Sequence, residues 1–269
     1  MNAIQFYYTI QFYANITQHS RFYFQEISKA MNDAIEKKID SITDTADPKE
    51  ISGIDRLQKY RDELYTLIKT STLTITNVGA YNSDILVKHA VYPTDYRTFA
   101  YLKLTIDNVS TYARETDYNR LGPMLECSFR KPNNKKPYFL EDATGMKLYM
   151  GNATTVTGSL DYIKHPVTFK MGVESDLINS GVAVLAINTT YIATEVSVYN
   201  GIKYQIGDEF TTNGVLTDLT SGQVILKSKT TTTDLPEKCH DELAKSAAAI
   251  LLGNTSAFEN SAFAEKEKS

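Results

Sequence analysis

Apolar and polar positions alternate along the start of the chain, with Ile4, Phe6, Tyr8, Ile10 and Phe12 on one side and Gln5, Tyr7, Thr9, Gln11 and Tyr13 on the other. A period of two predicts a strand; the alternative is that these residues extend the helix that follows. From Ser20 the period becomes helical. Phe24, Ile27, Met31, Ile35 and Ile42 recur three, four or seven apart, which predicts a helix ending near Asp44. Asp47-Pro48 and Gly53 are loop chemistry, and Ser52 with Asp55 has the form of a capping box. A second helix is expected to carry Ile54, Leu57, Arg61, Leu64 and Ile68 on one stripe, with Leu67 widening it, until the β-branched run at Thr70-Ser71-Thr72. Two helices joined by a short loop predict an antiparallel hairpin.

Between Leu73 and Thr233 no helical stripe recurs, and Gly, Pro and Asn punctuate the chain at intervals typical of strands and turns. The clearest hairpin spans Glu195 to Phe210, where Asn200-Gly201 suits a two-residue type I′ turn placing Tyr199 opposite Ile202 and Ser197 opposite Tyr204. Further strands are expected at Ile85–His89, Phe99–Ile106, Glu126–Phe129, Thr168–Met171, Val182–Ile187 and Val224–Ser228. Lys131 to Pro137 reads as an exposed loop. The helical signal then returns: Asp234 as a cap, Pro236 in the first turn, and a narrow stripe of Leu243, Ala247, Ile250 and Leu251 with small neighbours, closed by Gly253-Asn254. Taken together, the pattern predicts an α+β chain. A helical bundle (20–72 with 234–253) holds a large, sandwich- or barrel-like β-rich insertion (73–233), flanked by an N-terminal arm (1–19) and a mobile C-terminal tail (254–269). The bundle core is expected to be Ile27, Met31, Ile35, Leu57, Leu64, Ile68, Leu243, Ala247 and Ile250.

Composition narrows the function. The 269 residues include 18 Tyr and no Trp, and the net charge of -4 gives no global attraction for phosphate backbones. Arg130, Lys131, Lys135 and Lys136 form the one concentrated basic run, a solvated loop or a surface for DNA or an acidic partner. Cys127 and Cys239 are too few for a disulfide scaffold or a four-thiolate zinc site, and His19, His89, His165 and His240 lack metal-ligand spacing. Asp40, Asp44 and Asp47, or Asp107 and Asp117, lack the glycine and terminal glutamate of a calcium loop. Cys239, His240 and Asp241 are adjacent, but successive helical residues diverge by about 100°, so they do not converge as a catalytic group. With no phosphate loop, nucleophile elbow or dinucleotide fingerprint, no catalytic residue, metal or cofactor is expected. The chain shows no run of apolar residues long enough to span a membrane and no signal-peptide pattern, so synthesis in a cytoplasm is expected.

The segment Asp234-Leu235-Pro236-Glu237-Lys238-Cys239-His240-Asp241-Glu242-Leu243, followed by Ala247-Ala248-Ala249 and Leu251-Leu252, places Leu235, Pro236, His240 and Leu243 in a Leu-Pro-x-x-x-His-x-x-(Leu/Ile) pattern. With Tyr92-Pro93-Thr94-Asp95-Tyr96 and Tyr162-Ile163-Lys164-His165-Pro166, it resembles the head-to-tail connector and tail-adaptor ring proteins of tailed bacteriophages, most like those of the crAss-like phages. That resemblance implies a structural virion protein at the portal vertex or tail. It further implies a closed, dodecameric ring of copies contacting the portal or adjacent tail rings and lining a channel for double-stranded DNA. The aromatic arm, as a strand with one apolar face, would add through Ile4, Phe6, Tyr8, Ile10 and Phe12 to a neighbour's sheet edge, or else to a sheet of its own subunit. One alternative is a carbohydrate- or receptor-binding β module of a tail fibre or adhesin, which predicts an aromatic cleft of saccharide size. Another is a hydrolase using Asp95 or His165, which predicts convergent titratable groups.

Overall fold

The structure is a computed structural model that describes residues 1–14, 22–43, 63–127, 129–180, 185–186, 188–212 and 219–266, with side chains through residue 253. The chain is α+β, with three helices packed together and a large multi-sheet β insertion. It divides into two compact units, one of residues 1–42 with 166–269 and one of residues 43–165.

In the first unit the segment expected as a strand is helix α1 (Ala3–Tyr13). A capping box decides the matter locally: Asn2 accepts from the Gln5 N–H, and the Gln5 side chain accepts from the Asn2 N–H. Ala3, Phe6, Ile10 and Ala14 then fall on one helical stripe with Ile4 beside it, all buried, while Phe12 of the expected apolar strand face is 77% exposed. Helix α2 (Phe24–Thr43) follows the expected stripe, burying Ile27, Met31 and Ile35 together with Ile39 and Ile42. The last helix, named α4 below, runs from His240 to Lys266. Leu243, Ala244, Ala247 and Ala248 are buried on it, and Ile250 is half-buried. Such small side chains let helices approach closely. Phe6 meets the His240 ring at 5.0 Å between centroids, and Lys38 of α2 pairs with Glu242 at 2.9 Å.

Two ends of α4 differ from expectation. Asp234 accepts the Val167 N–H (3.1 Å), and a single 3₁₀ turn, Glu237–Cys239, leads into the helix after Pro236. At the other end Gly253-Asn254 does not close the helix, which continues through the expected mobile tail to Lys266. An interior glycine costs a helix only about 1 kcal/mol against alanine, and the alanines, glutamates and lysines beyond it are good helix formers.

The second unit is a pair of sheets. Its strands are β1 (Ile68–Leu73), β2 (Ile75–Asn82), β3 (Ile85–Val91), β4 (Tyr96–Ile106), β5 (Val109–Tyr112), β6 (Arg114–Glu115), β7 (Tyr138–Asp142), β8 (Gly145–Gly151) and β9 (Val156–Lys164), with helix α3 (Tyr118–Glu126) between β6 and β7. One sheet has the order β1-β9-β4-β5 and the other β2-β3-β8-β7-β6, antiparallel throughout except β6 with β7. Leu102, Leu104 and Leu160 of the first sheet share a core with Phe139, Met146, Leu148 and Met150 of the second. Of the expected second helix, Ile54, Leu57 and Arg61 lie outside the described residues. Leu64 is buried at the end of a helix and Leu67 in the turn that follows, and Ile68 opens β1, half-buried, because the run from Ile68 to Thr72, rich in β-branched residues, pairs with β9. Likewise the strand expected at Glu126–Phe129 gives way to α3, started by Asp117 capping the Arg120 N–H (2.8 Å). Leu121 and Leu125, four apart, pack with Ile85 and Leu140.

Strands β10 (Leu177–Asn179), β11 (Thr190–Ala193), β12 (Ser197–Tyr199), β13 (Ile202–Tyr204), β14 (Glu209–Thr211), β15 (Leu219–Ser221) and β16 (Gln223–Leu226) belong to the first unit, in sheets ordered β10-β16-β11-β14 and β13-β12-β15. The β12–β13 hairpin has the predicted register, with Asn200 and Gly201 at φ 50° and 74°. Thr168–Met171 makes only an isolated bridge, Lys170 with Thr231. Its backbone is taken instead by α2 side chains: Asn32 accepts the Phe169 N–H (2.8 Å) and donates to the Phe169 carbonyl (3.1 Å), and Ser28 accepts from Met171 (3.3 Å). Of Val182–Ile187 only Leu185 and Ala186 are described, outside any strand. Val224 to Leu226 are strand, and Lys227–Lys229 form a 3₁₀ turn.

Candidate functional site

Of the segments that carried the sequence resemblance, Asp234 to Leu243 lies in the first unit, whereas Tyr92 to Tyr96 and Tyr162 to His165 meet in the second. Tyr96 pairs with Lys164 at the β4–β9 border, and the His165 N–H donates to the Asp95 carbonyl (2.8 Å). The Asp95 carboxylate accepts from the Tyr162 hydroxyl (2.6 Å) and from Lys69 on β1 (2.7 Å). Both contacts favour the charged form, with Lys69 the larger, and hold Asp95 below the usual carboxylate range. Tyr96 stacks on Tyr92 at 3.9 Å, faces Tyr162 at 5.9 Å and donates to Glu141 (2.8 Å). Burial pushes the Tyr162 phenol up to about 12 and those of Tyr92 and Tyr96 higher still, with the Glu141 charge adding to the last two. Asp95 thus ties three strands and a loop together, and the His165 backbone, not its ring, joins the latch. Tyr92 and Tyr96 lie in one of those segments, but their link to Glu141 carried no sequence signal, since the spacing of two strands' partners depends on their pairing.

The basic run forms a built turn. Asn133 Oδ1 accepts the N–H groups of Lys135 (2.9 Å) and Lys136 (3.0 Å), and Thr111 on β5 donates to the Lys135 carbonyl (3.1 Å). Pro132 and Pro137 are buried beneath it. Lys131 pairs with Asp84 at 3.3 Å, while Arg130, Lys135 and Lys136 present exposed cations. Arg130 also lines an open depression with Arg120, beside Cys127.

The arm residues are divided by their helix. Ile4, Phe6 and Ile10 are buried within their own unit and Tyr8 donates to the Thr194 carbonyl (2.6 Å), leaving Phe12 exposed. In α4, His240 is buried. Its Nε2 faces the Leu235 carbonyl (3.0 Å), which can only accept, so this nitrogen carries the proton and Nδ1 accepts from the Met1 amino group (2.9 Å). Burial lowers its pKa. Asp241 turns to Tyr13 and Lys245, so the Cys239-His240-Asp241 trio does not converge. Among the described residues no three His, Cys, Asp or Glu side chains are grouped to hold a metal ion, and no helix is long and apolar enough to cross a membrane. His19, Asp44 and Asp47 lie outside those residues.

The edges of the second unit present large apolar side chains to solvent. Val78 and Tyr81 do so on edge strand β2, Val109 and Tyr112 on edge strand β5, and Tyr118 and Phe129 at the two ends of the α3 region, Phe129 at 97% exposure. Compared with known proteins, the chain matches no family model and no curated protein.

Proposed function

We propose that this chain is a non-enzymatic virion subunit of the head-to-tail connector or tail of a tailed bacteriophage, assembling as a ring that joins portal to tail around the DNA exit channel. The observation that carries the reading is the pair of exposed edge strands, β2 and β5, each with large apolar residues in water. An edge strand offers unpaired backbone donors and acceptors. Although β2 is bulged and β5 is only four residues long, neither carries a charged side chain, so their exposed apolar residues offer a surface to another chain. Contacts that repeat head to tail and close generate a ring. The exposed Arg130, Lys135 and Lys136 give such a ring a few cations for passing phosphates or an acidic neighbour, within a chain whose net charge prevents DNA from sticking.

The test is the mass in solution by light scattering, with electron microscopy of the same sample, for the full chain and for Val78→Lys and Val109→Lys. A closed oligomer that either charge dissolves is the expected result. A monomer at all concentrations, alone and with portal rings, would overturn the proposal. Arg130, Lys135 and Lys136 changed together to Glu should leave ring mass unchanged and impair DNA delivery by assembled particles.

A further inference from the structure

We infer that a cleft in the first unit, between α1, the residues leading into α2 and the edge of the β10-β16-β11-β14 sheet, binds a neutral saccharide of one or two ring units. It encloses about 280 Å³, just under the usual range of small-molecule sites. Its walls are aromatic: Tyr7 packs edge-on against Tyr8 (5.2 Å) and against Phe24 (5.1 Å), and Tyr23 stands on the rim, 65% exposed. Apolar ring faces of this kind suit the C–H face of a sugar, whose polarised hydrogens meet the negative face of the π-system.

The polar groups decide the class. Most are already occupied: Tyr8 donates to the Thr194 carbonyl, the Thr194 hydroxyl donates to Gln223 (3.0 Å), and Gln223 donates to Asn179 (2.8 Å). Two are not. Gln11 buries its amide nitrogen with no hydrogen-bond partner among the described residues, and the Glu195 carboxylate is exposed at the cleft without a donor among them. One needs an acceptor and the other a donor. A cationic group would satisfy Glu195 and the rings but offers nothing to the Gln11 N–H. An anion meets the Glu195 charge, with no Lys or Arg lining the cleft. A hydroxyl supplies both functions, and a sugar ring sets hydroxyls beside an apolar face. The inference goes beyond ring assembly and does not rest on it.

Calorimetric titration of the full chain with trisaccharides of glucose, galactose, mannose and N-acetylglucosamine tests this, with a galacturonic acid trimer and tri-lysine as charged probes. At least one neutral trisaccharide should bind saturably with a Kd of about 1 mM. The uronic acid trimer should bind at least tenfold more weakly. Glu195→Gln and Tyr23→Ala, both at exposed positions, should each weaken the neutral ligand roughly tenfold, the loss of one charge-assisted hydrogen bond or one stacking face. Unchanged circular dichroism and melting would show that both variants remain folded. No binding by any neutral trisaccharide at ~20 mM, tighter binding of tri-lysine, or affinity unmoved in both variants would each overturn the assignment.

Discussion

Asp95 shows how much one carboxylate holds in the second unit, since its two side-chain partners come from β1 and β9 and its own carbonyl takes the His165 N–H. Asp95→Ala should lower stability by about 1–2 kcal/mol, because it leaves the mostly buried Tyr162 hydroxyl unpaired while Lys69, half-exposed, loses little. Tyr162→Phe should cost about 1 kcal/mol, and the double variant less than the sum, as urea midpoints would show. The tyrosines also set an alkaline limit. In the unfolded chain a phenol titrates near 10, whereas Tyr162 in the fold is raised to about 12 by burial and then by Asp95, and Tyr92, Tyr96 and Tyr101 are raised by burial in the same direction. Above about pH 10 the unfolded state therefore holds fewer protons than the folded one, so stability should stay flat to that point and fall toward pH 12. Denaturation at about pH 8 and about pH 11 checks this, and Tyr162→Phe should soften the fall. On the acid side, Asp95 is lowered by Lys69 and Tyr162, and Asp107 by the Thr155 and Thr154 backbone, so their contribution stands above about pH 4 and is lost as pH drops through their folded values. The sequence held both halves of this latch in plain view, Tyr92–Tyr96 and Tyr162–Pro166. Their meeting depends on β4 lying beside β9, which no local pattern specifies.

At the scale of elements, what could be read in advance was what neighbouring residues decide among themselves. The α2 stripe and the Asn200-Gly201 turn with its register are of this kind. Helix α1 is instructive because Ile4, Phe6, Tyr8, Ile10 and Phe12 satisfy a period of two, while Ala3, Phe6, Ile10 and Ala14 satisfy one of 3.6. Asn2 and Gln5 break the tie through the capping box. Because Phe6 is wholly buried against Phe169 and His240, Phe6→Ala should cost about 3–5 kcal/mol in thermal or urea unfolding. Removing Met1 to Tyr13 should accordingly destabilise the first unit itself rather than release neighbouring subunits. Helix α3 was obscured by Gly122-Pro123, residues that speak against a helix until Asp117 and the Leu121/Leu125 pair are weighed. Two turn glycines separate conformation from space. Gly201 lies at φ +74° in open surroundings, so Gly201→Ala should cost about 1 kcal/mol. Gly222 lies at φ +86°, and an added Cβ would stand 2.5 Å from the Val196 carbonyl oxygen and 2.7 Å from Ser197 Cα, both backbone. Gly222→Ala should therefore be several-fold more costly, a difference read directly from paired urea midpoints.

For the molecule as a whole, an insertion was legible from the return of a helical stripe after a long β-rich stretch, but its limits were not. The strands from β10 onward have the same turn chemistry as those before them, yet they belong with the helices. What separates the groups is tertiary: Phe169 and Met171 give their backbone to Asn32 and Ser28 of α2, which anchors the chain after Pro166 to the first unit. The second unit is closed on itself by its own first and last strands. Ile68 to Leu73 pair antiparallel with Ile163 to Gly158, and the Lys164 N–H donates to the Leu67 carbonyl at 3.0 Å. A segment whose ends leave as adjacent paired strands, and whose core of Leu102, Leu104, Leu160, Phe139, Met146 and Leu148 is internal, meets the physical requirements of an independent folding unit. Residues 63–165 expressed alone should fold cooperatively, with the tyrosine latch intact, and calorimetry of the full chain should resolve two transitions, one matching the fragment. Gly145→Ala, which would drive a Cβ to 2.1 Å from the Ala90 carbonyl oxygen, should lower only the matching transition. A fragment without dispersed tyrosine resonances, or a single transition in the full chain that Gly145→Ala moves as a whole, would show instead that the sandwich folds only together with the helices.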